Sequence, residues 1–65
     1  MKVTYDKEAN AVYIQFKDDV IDESDEDKKG GVIIDYAVDG SVVGIEVLNA
    51  SEKLSLPVSL DYVEV

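Results

Sequence analysis

Fifteen acidic side chains against six lysines, with no arginine, histidine or cysteine, give this 65-residue chain a net charge of −9. That composition rules out disulfides and a zinc site of thiolate and imidazole ligands, and it implies no cofactor. The charge repels phosphate backbones and anionic lipid headgroups, so no nucleic-acid or membrane-surface role is expected.

A chain of this length forms a single domain, residues 1–65, with a small core and a narrow stability margin. With disulfides and structural metal gone, oligomerisation or close local packing has to supplement that core. No apolar run approaches the roughly 18 residues of a membrane helix. Met1-Lys2-Val3-Thr4-Tyr5-Asp6 lacks the basic start, apolar stretch and cleavage site of a signal peptide. The default expectation is a cytoplasmic protein.

In chain order, Val3 and Tyr5 alternate with Lys2, Thr4 and Asp6, the period-2 pattern of a half-buried strand. A polar turn, Asp6 to Asn10, leads to a second alternating run in which Val12, Ile14 and Phe16 face one side. Pairing Asp6 with Ala11 sets Tyr5 opposite Val12 and Val3 opposite Ile14, with every large apolar side chain on one face.

Lys17 to Gly30 is mostly charged, with Asp18, Asp19, Asp22, Glu23, Asp25, Glu26 and Asp27 preceding Lys28 and Lys29. Composition predicts a long, mobile, acidic loop, in which Val20 and Ile21 extend a strand briefly or tuck under the sheet.

After Gly30-Gly31, Val32, Ile34 and Tyr36 alternate toward Asp39-Gly40, and Val43, Ile45 and Val47 alternate beyond it. Asp-Gly between two alternating runs predicts a two-residue hairpin turn. That turn pairs Val38 with Ser41 and sets Tyr36, Ile34 and Val32 opposite Val43, Ile45 and Val47. Asn49 is placed to cap a short helix over 50–54, with Glu52 completing a capping box. Pro57 ends it, and the tail 56–65 reads as extended or helical.

The expected fold is therefore mostly β (α+β). It is a four-stranded antiparallel sheet of two β-hairpins, a meander, followed by a short helix and an extended or helical tail.

Three blocks carry a resemblance. They are Tyr5-Asp6-x-x-x-Asn10-x-x-Tyr13-Ile14, Gly31-Val32-Ile33-Ile34-Asp35 and Gly44-Ile45-Glu46-Val47-Leu48-Asn49-Ala50-Ser51. They resemble a widespread family of small prokaryotic proteins of unknown function, whose pattern runs Y-D-x-x-x-D-A-L-Y-I, G-V-I-I-D and G-I-E-I-L-x-A-S. Asn10 stands where that family usually carries Asp, and Val12 where it often carries Leu. The resemblance implies a small β-meander with a following helix, and no activity, substrate or cofactor. Family members look like those encoded beside small toxin-like proteins, which implies an antitoxin-like or other partner-binding role as one reading.

Candidate sites follow from the registers. Thr4, Tyr13, Gln15, Asp35 and Glu46 point away from the core, with Asp35 diagonal to Glu46. Such a carboxylate pair could serve acid–base chemistry or hold a divalent ion, but with no histidine, cysteine or arginine to act as nucleophile, base or anion clamp a plain solvated face is the simpler account. Tyr13, Ile33 and Leu48 make that same face unusually apolar, so Tyr13, Ile33, Asp35, Glu46 and Leu48 form a candidate binding face. A second copy or the C-terminal segment could cover it. The acidic run could attract cations or a basic protein, although its spacing does not match an EF-hand. Ser51 near the helix start reads as helix-end hydrogen bonding rather than as a nucleophile.

Three functions stay open: a protein-interaction module for a basic partner, a structural homo-oligomer, and an enzyme using Asp35 and Glu46.

Overall fold

The computed structural model describes residues 1–65. Five strands form one antiparallel sheet: β1 (Lys2–Asp6), β2 (Ala11–Gln15), β3 (Glu23–Asp27), β4 (Val32–Tyr36) and β5 (Val42–Leu48). One short helix, α1 (Ala50–Lys53), follows. The spatial order is β1-β2-β5-β4-β3.

The first hairpin takes the expected register, with Asp6 opposite Ala11, Tyr5 opposite Val12 and Val3 opposite Ile14. Asp6 Oδ1 closes its connection by accepting from the backbone N–H of Glu8 (3.0 Å) and Ala9 (3.2 Å). Asn10 ends the turn in left-handed geometry, φ 52°, which Asn tolerates better than most residues.

The expectation of four strands in a meander is corrected in two ways. First, β2 pairs with β5 rather than with β4. The centre of the sheet goes to β5, the longest strand, which carries apolar side chains on both faces (Val42, Val43, Ile45, Val47 and Leu48). A strand of that kind gains most from neighbours on both sides.

Second, the predicted mobile acidic loop contains a strand. Glu23–Asp27 pairs residue for residue with β4, from Glu23 opposite Tyr36 to Asp27 opposite Val32. Local composition argues against a strand here, but tertiary context overrides it. Without β3, one side of β4 would lack backbone partners. A row of carboxylates on the outermost strand also blocks pairing with other chains. Val20 and Ile21 do not pack under the sheet; they are 81% and 48% exposed.

The β4–β5 hairpin keeps Val32 opposite Val47 and Ile34 opposite Ile45, but the predicted turn is corrected. Three residues, Val38-Asp39-Gly40, lie between Ala37 and Ser41, with Gly40 N–H bonding Ala37 O and Ala37 N–H bonding Ser41 O, both at 2.9 Å. Gly40 supplies the positive φ (86°) that this longer turn needs. The extra residue shifts the register after Asp35, so Tyr36 faces Val42 and not Val43. The Val43 carbonyl instead accepts from the N–H groups of Phe16 (2.7 Å) and Lys17 (3.3 Å).

One sheet face carries Val12, Val43 and Val47, all buried, with Ile14, Val32, Ile34 and Ile45 half-buried around them. Beyond Lys53 the chain forms no further helix and no sheet-paired strand, so the helical alternative for the tail is not taken. Leu56, Pro57 and Val58 line a small open cleft together with Val3, Tyr5 and Val12 at the β1–β2 end of that face. Only eight of 65 residues are buried, so the tail covers the sheet incompletely. No helix is long and apolar enough to cross a membrane.

The capping box is also corrected. Asn49 sits at φ 52° and its side chain makes no cap hydrogen bond. Asn10, thirty-nine positions earlier in the chain, takes its place. Its Oδ1 accepts from Ser51 N–H (3.1 Å) and its carbonyl accepts from Ala50 N–H (2.9 Å).

Candidate functional site

The register defines the candidate face row by row. Thr4, Tyr13, Glu46, Ile33 and Glu26 stand side by side across the five strands. The next row runs Lys2, Gln15, Gly44, Asp35 and Ser24. Side chains in such rows are neighbours because opposed residues share a face.

Tyr13 crosses from the first row into the second. Its hydroxyl donates to Asp35 Oδ2 at 2.9 Å, and Ser24 Oγ donates to Asp35 Oδ1 at 2.6 Å. Asp35 is 9% exposed, and both its oxygens are engaged. Buried carboxylates require this kind of satisfaction. The chain of bonds joins β2, β4 and β3 and passes over β5 at Gly44.

Gly44 makes the crossing possible. A Cβ there would overlap Oη and Cζ of Tyr13 and come within 2.8 Å of the Ile14 carbonyl. Glycine inside an alternating strand marks such a close approach.

Burial, the bond to Asp35, and the charges of Asp35 and Glu46 together push the Tyr13 hydroxyl up to about 12. Tyr13 therefore stays protonated and donating at neutral pH. It is not poised as a base.

Of the predicted face residues, Tyr13 and Asp35 touch. Glu46 lies opposite both Tyr13 and Ile33 on its neighbouring strands, and Leu48 lies opposite Ala11 at the far end. The Tyr13 hydroxyl takes Asp35, not the Glu46 directly opposite it, as its partner. Ser24 and Gly44 were missed as members of this site. Their signals were available: Ser24 is the one uncharged residue of Glu23–Asp27, and Gly44 interrupts the β5 apolar run.

The seven acidic residues divide. Asp18, Asp19 and Asp22 precede β3, and Asp19 pairs with Lys17 at 3.3 Å. Glu23, Asp25 and Asp27 stand opposite Tyr36, Ile34 and Val32, while Glu26 stands opposite Ile33. No group of three or more Asp or Glu side chains converges in a way that could hold a metal ion.

A second polar cluster joins the first hairpin to the helix. Asn10 Nδ2 donates to Ser51 Oγ (2.9 Å), and Tyr5 Oη donates to Asn10 Oδ1 (3.2 Å). Ser51 thus serves the helix end, as its position suggested.

A family model for proteins of unknown function, DUF2283, matches residues 2–51. The chain belongs to the DUF2283 family. The DUF2283 match covers every strand and the first two residues of α1, and so includes Tyr13, Ser24, Asp35, Gly44, Asn10 and Ser51. No curated protein and no solved structure gives a significant match to this chain.

Proposed function

We propose that this DUF2283 chain is a protein-interaction module for a basic partner, in the manner of an antitoxin-like protein. The observation that carries this reading is the placement of β3. It sets Glu23, Asp25 and Asp27 beside Tyr36, Ile34 and Val32 on the incompletely covered sheet face. A carboxylate row bordering apolar surface suits a ligand with lysines or arginines flanking apolar side chains. The net charge of −9 would speed its encounter.

The engagement of Asp35 weighs against the enzyme reading. Tyr13 and Ser24 occupy both carboxylate oxygens, so acid–base work with Glu46 would require breaking that network.

The test is capture from the native host at low salt, repeated at high salt and with Glu23→Gln, Asp25→Asn and Asp27→Asn combined. A basic partner released by salt and lost in the triple variant supports the reading. Absence of any salt-sensitive partner overturns it.

A further inference from the structure

The two edges of the sheet differ in kind. At one edge, β3 carries carboxylates at four of its five positions, Glu23, Asp25, Glu26 and Asp27. Any pairing of β3 with its own copy would set acid against acid.

At the other edge, β1 is five residues long, exposed throughout, and free of proline. It pairs only with β2, and none of the backbone hydrogen bonds outside the helix and strands involves residues 2–6. Its outward N–H and C=O groups therefore have no partner within the chain. Val3 and Tyr5 are 37% and 40% exposed.

We propose that β1 is a homodimerisation edge, pairing antiparallel with β1 of a second copy. The sequence of the strand is self-complementary about Thr4. In an antiparallel pair of identical strands, outward-pointing residues must meet outward-pointing residues, so the two position numbers facing each other add to an even number. The fully overlapped register of this kind sums to eight. It sets Thr4 opposite Thr4 of the other copy, Val3 opposite its Tyr5, and Lys2 opposite its Asp6.

Both ends then carry an opposite-charge pair, and both intermediate positions carry an apolar pair on the core face. The contact is isologous, so it closes at two copies. It joins the two sheets through Val3 and Tyr5, next to the Leu56-Pro57-Val58 segment of each tail. A five-residue edge is small against the ~1,000 Å² of a lasting interface, so the dimer is reversible and concentration-dependent.

Sedimentation of the purified chain from about 10 μM to about 1 mM spans the range in which such an edge associates. The expected result is a monomer–dimer equilibrium. Lys2→Glu alone and Asp6→Lys alone each place like charges opposite one another and stay monomeric. An equal mixture of the two restores opposite charges at both ends and dimerises.

Asp6 also closes a turn, so a fold-independent measurement accompanies these. Thr4→Cys places the only thiols of the dimer face to face, within disulfide reach. It cross-links on mild oxidation faster than Glu26→Cys at the opposite edge. A monomer at every concentration, self-association of Lys2→Glu equal to the parent, assemblies larger than a dimer, or equal cross-linking of the two cysteine variants would each overturn the proposal. These experiments use purified protein alone, so they stand or fall separately from capture of a basic partner.

Discussion

The Tyr13 hydroxyl lies 2.9 Å from Asp35 Oδ2, on a strand two places away in the sheet, and reaches it over the bare backbone of Gly44. Ser24 closes on the other carboxylate oxygen at 2.6 Å. Through this chain an acidic segment with little strand propensity of its own is held as the edge of the sheet.

Gly44→Ala is expected to destabilise the fold by about 1–3 kcal/mol, because the new methyl group overlaps the Tyr13 ring and crowds the Ile14 carbonyl. In a Tyr13→Ala background the same substitution costs less, since part of the clash is gone. Urea denaturation of the four chains measures the difference. Equal cost in both backgrounds would mean that Tyr13 does not lie over Gly44.

Tyr13→Phe removes one donor from a buried carboxylate and is expected to cost about 1–3 kcal/mol at neutral pH. The pH dependence has a definite sign. In the unfolded chain the hydroxyl titrates near its ordinary 10.0, and in the folded chain at about 12. The raised folded value means that its contribution is whole below pH 10 and is lost as pH rises through 12. Thermal melts of the parent and Tyr13→Phe should therefore differ most at neutral pH and converge between those limits. A difference that persists unchanged at high pH would contradict the bond.

Asn10→Asp should be nearly neutral, because a carboxylate still accepts from Ser51 N–H and Tyr5, and the Ser51 hydroxyl can rotate to donate where Nδ2 had donated to it. Asn10→Gly loses the side-chain bonds but keeps the left-handed φ. Asn10→Ala loses both and is expected to be the least stable, by about 1–2 kcal/mol relative to Asn10. Melting temperatures in that order check the account; equal values for Gly and Ala would remove the backbone contribution.

Raising salt from low to physiological strength should stabilise the chain by screening the β3 carboxylates from one another and from Asp18, Asp19 and Asp22. Replacing Glu23, Asp25, Glu26 and Asp27 by their amides should flatten that dependence and also make the chain aggregate, since the edge loses its protective charge. Thermal melts and light scattering read the two effects. A salt-independent melt of the parent would contradict the first.

Much of this was legible in the residues. Period-2 alternation placed β1, β2, β4 and β5, and one-sided burial gave the register of the first hairpin and most of the second. Legibility failed where long-range context decided the outcome. Glu23–Asp27 shows no alternation and low propensity, and the unpaired side of β4 together with the Ser24–Asp35 bond makes it a strand. Turn length at Val38-Asp39-Gly40 hid behind the Asp-Gly dipeptide, which fits two-residue and three-residue turns alike. The helix cap was assigned to Asn49 because it is adjacent in sequence, whereas Asn10 is adjacent in space. At the candidate site, Tyr13, Asp35 and Glu46 could be placed on one face, but the choice of Asp35 by Tyr13 depended on the missing side chain at Gly44.

Amide hydrogen exchange across residues 23–27 tests the central claim, that the acidic segment is a folded edge strand held by Asp35. The structure predicts protection at the β3 amides directed toward β4, reduced sharply in Asp35→Ala while β2 and β5 stay protected. Exchange of every amide in 23–27 at the rate of an unstructured chain would contradict it.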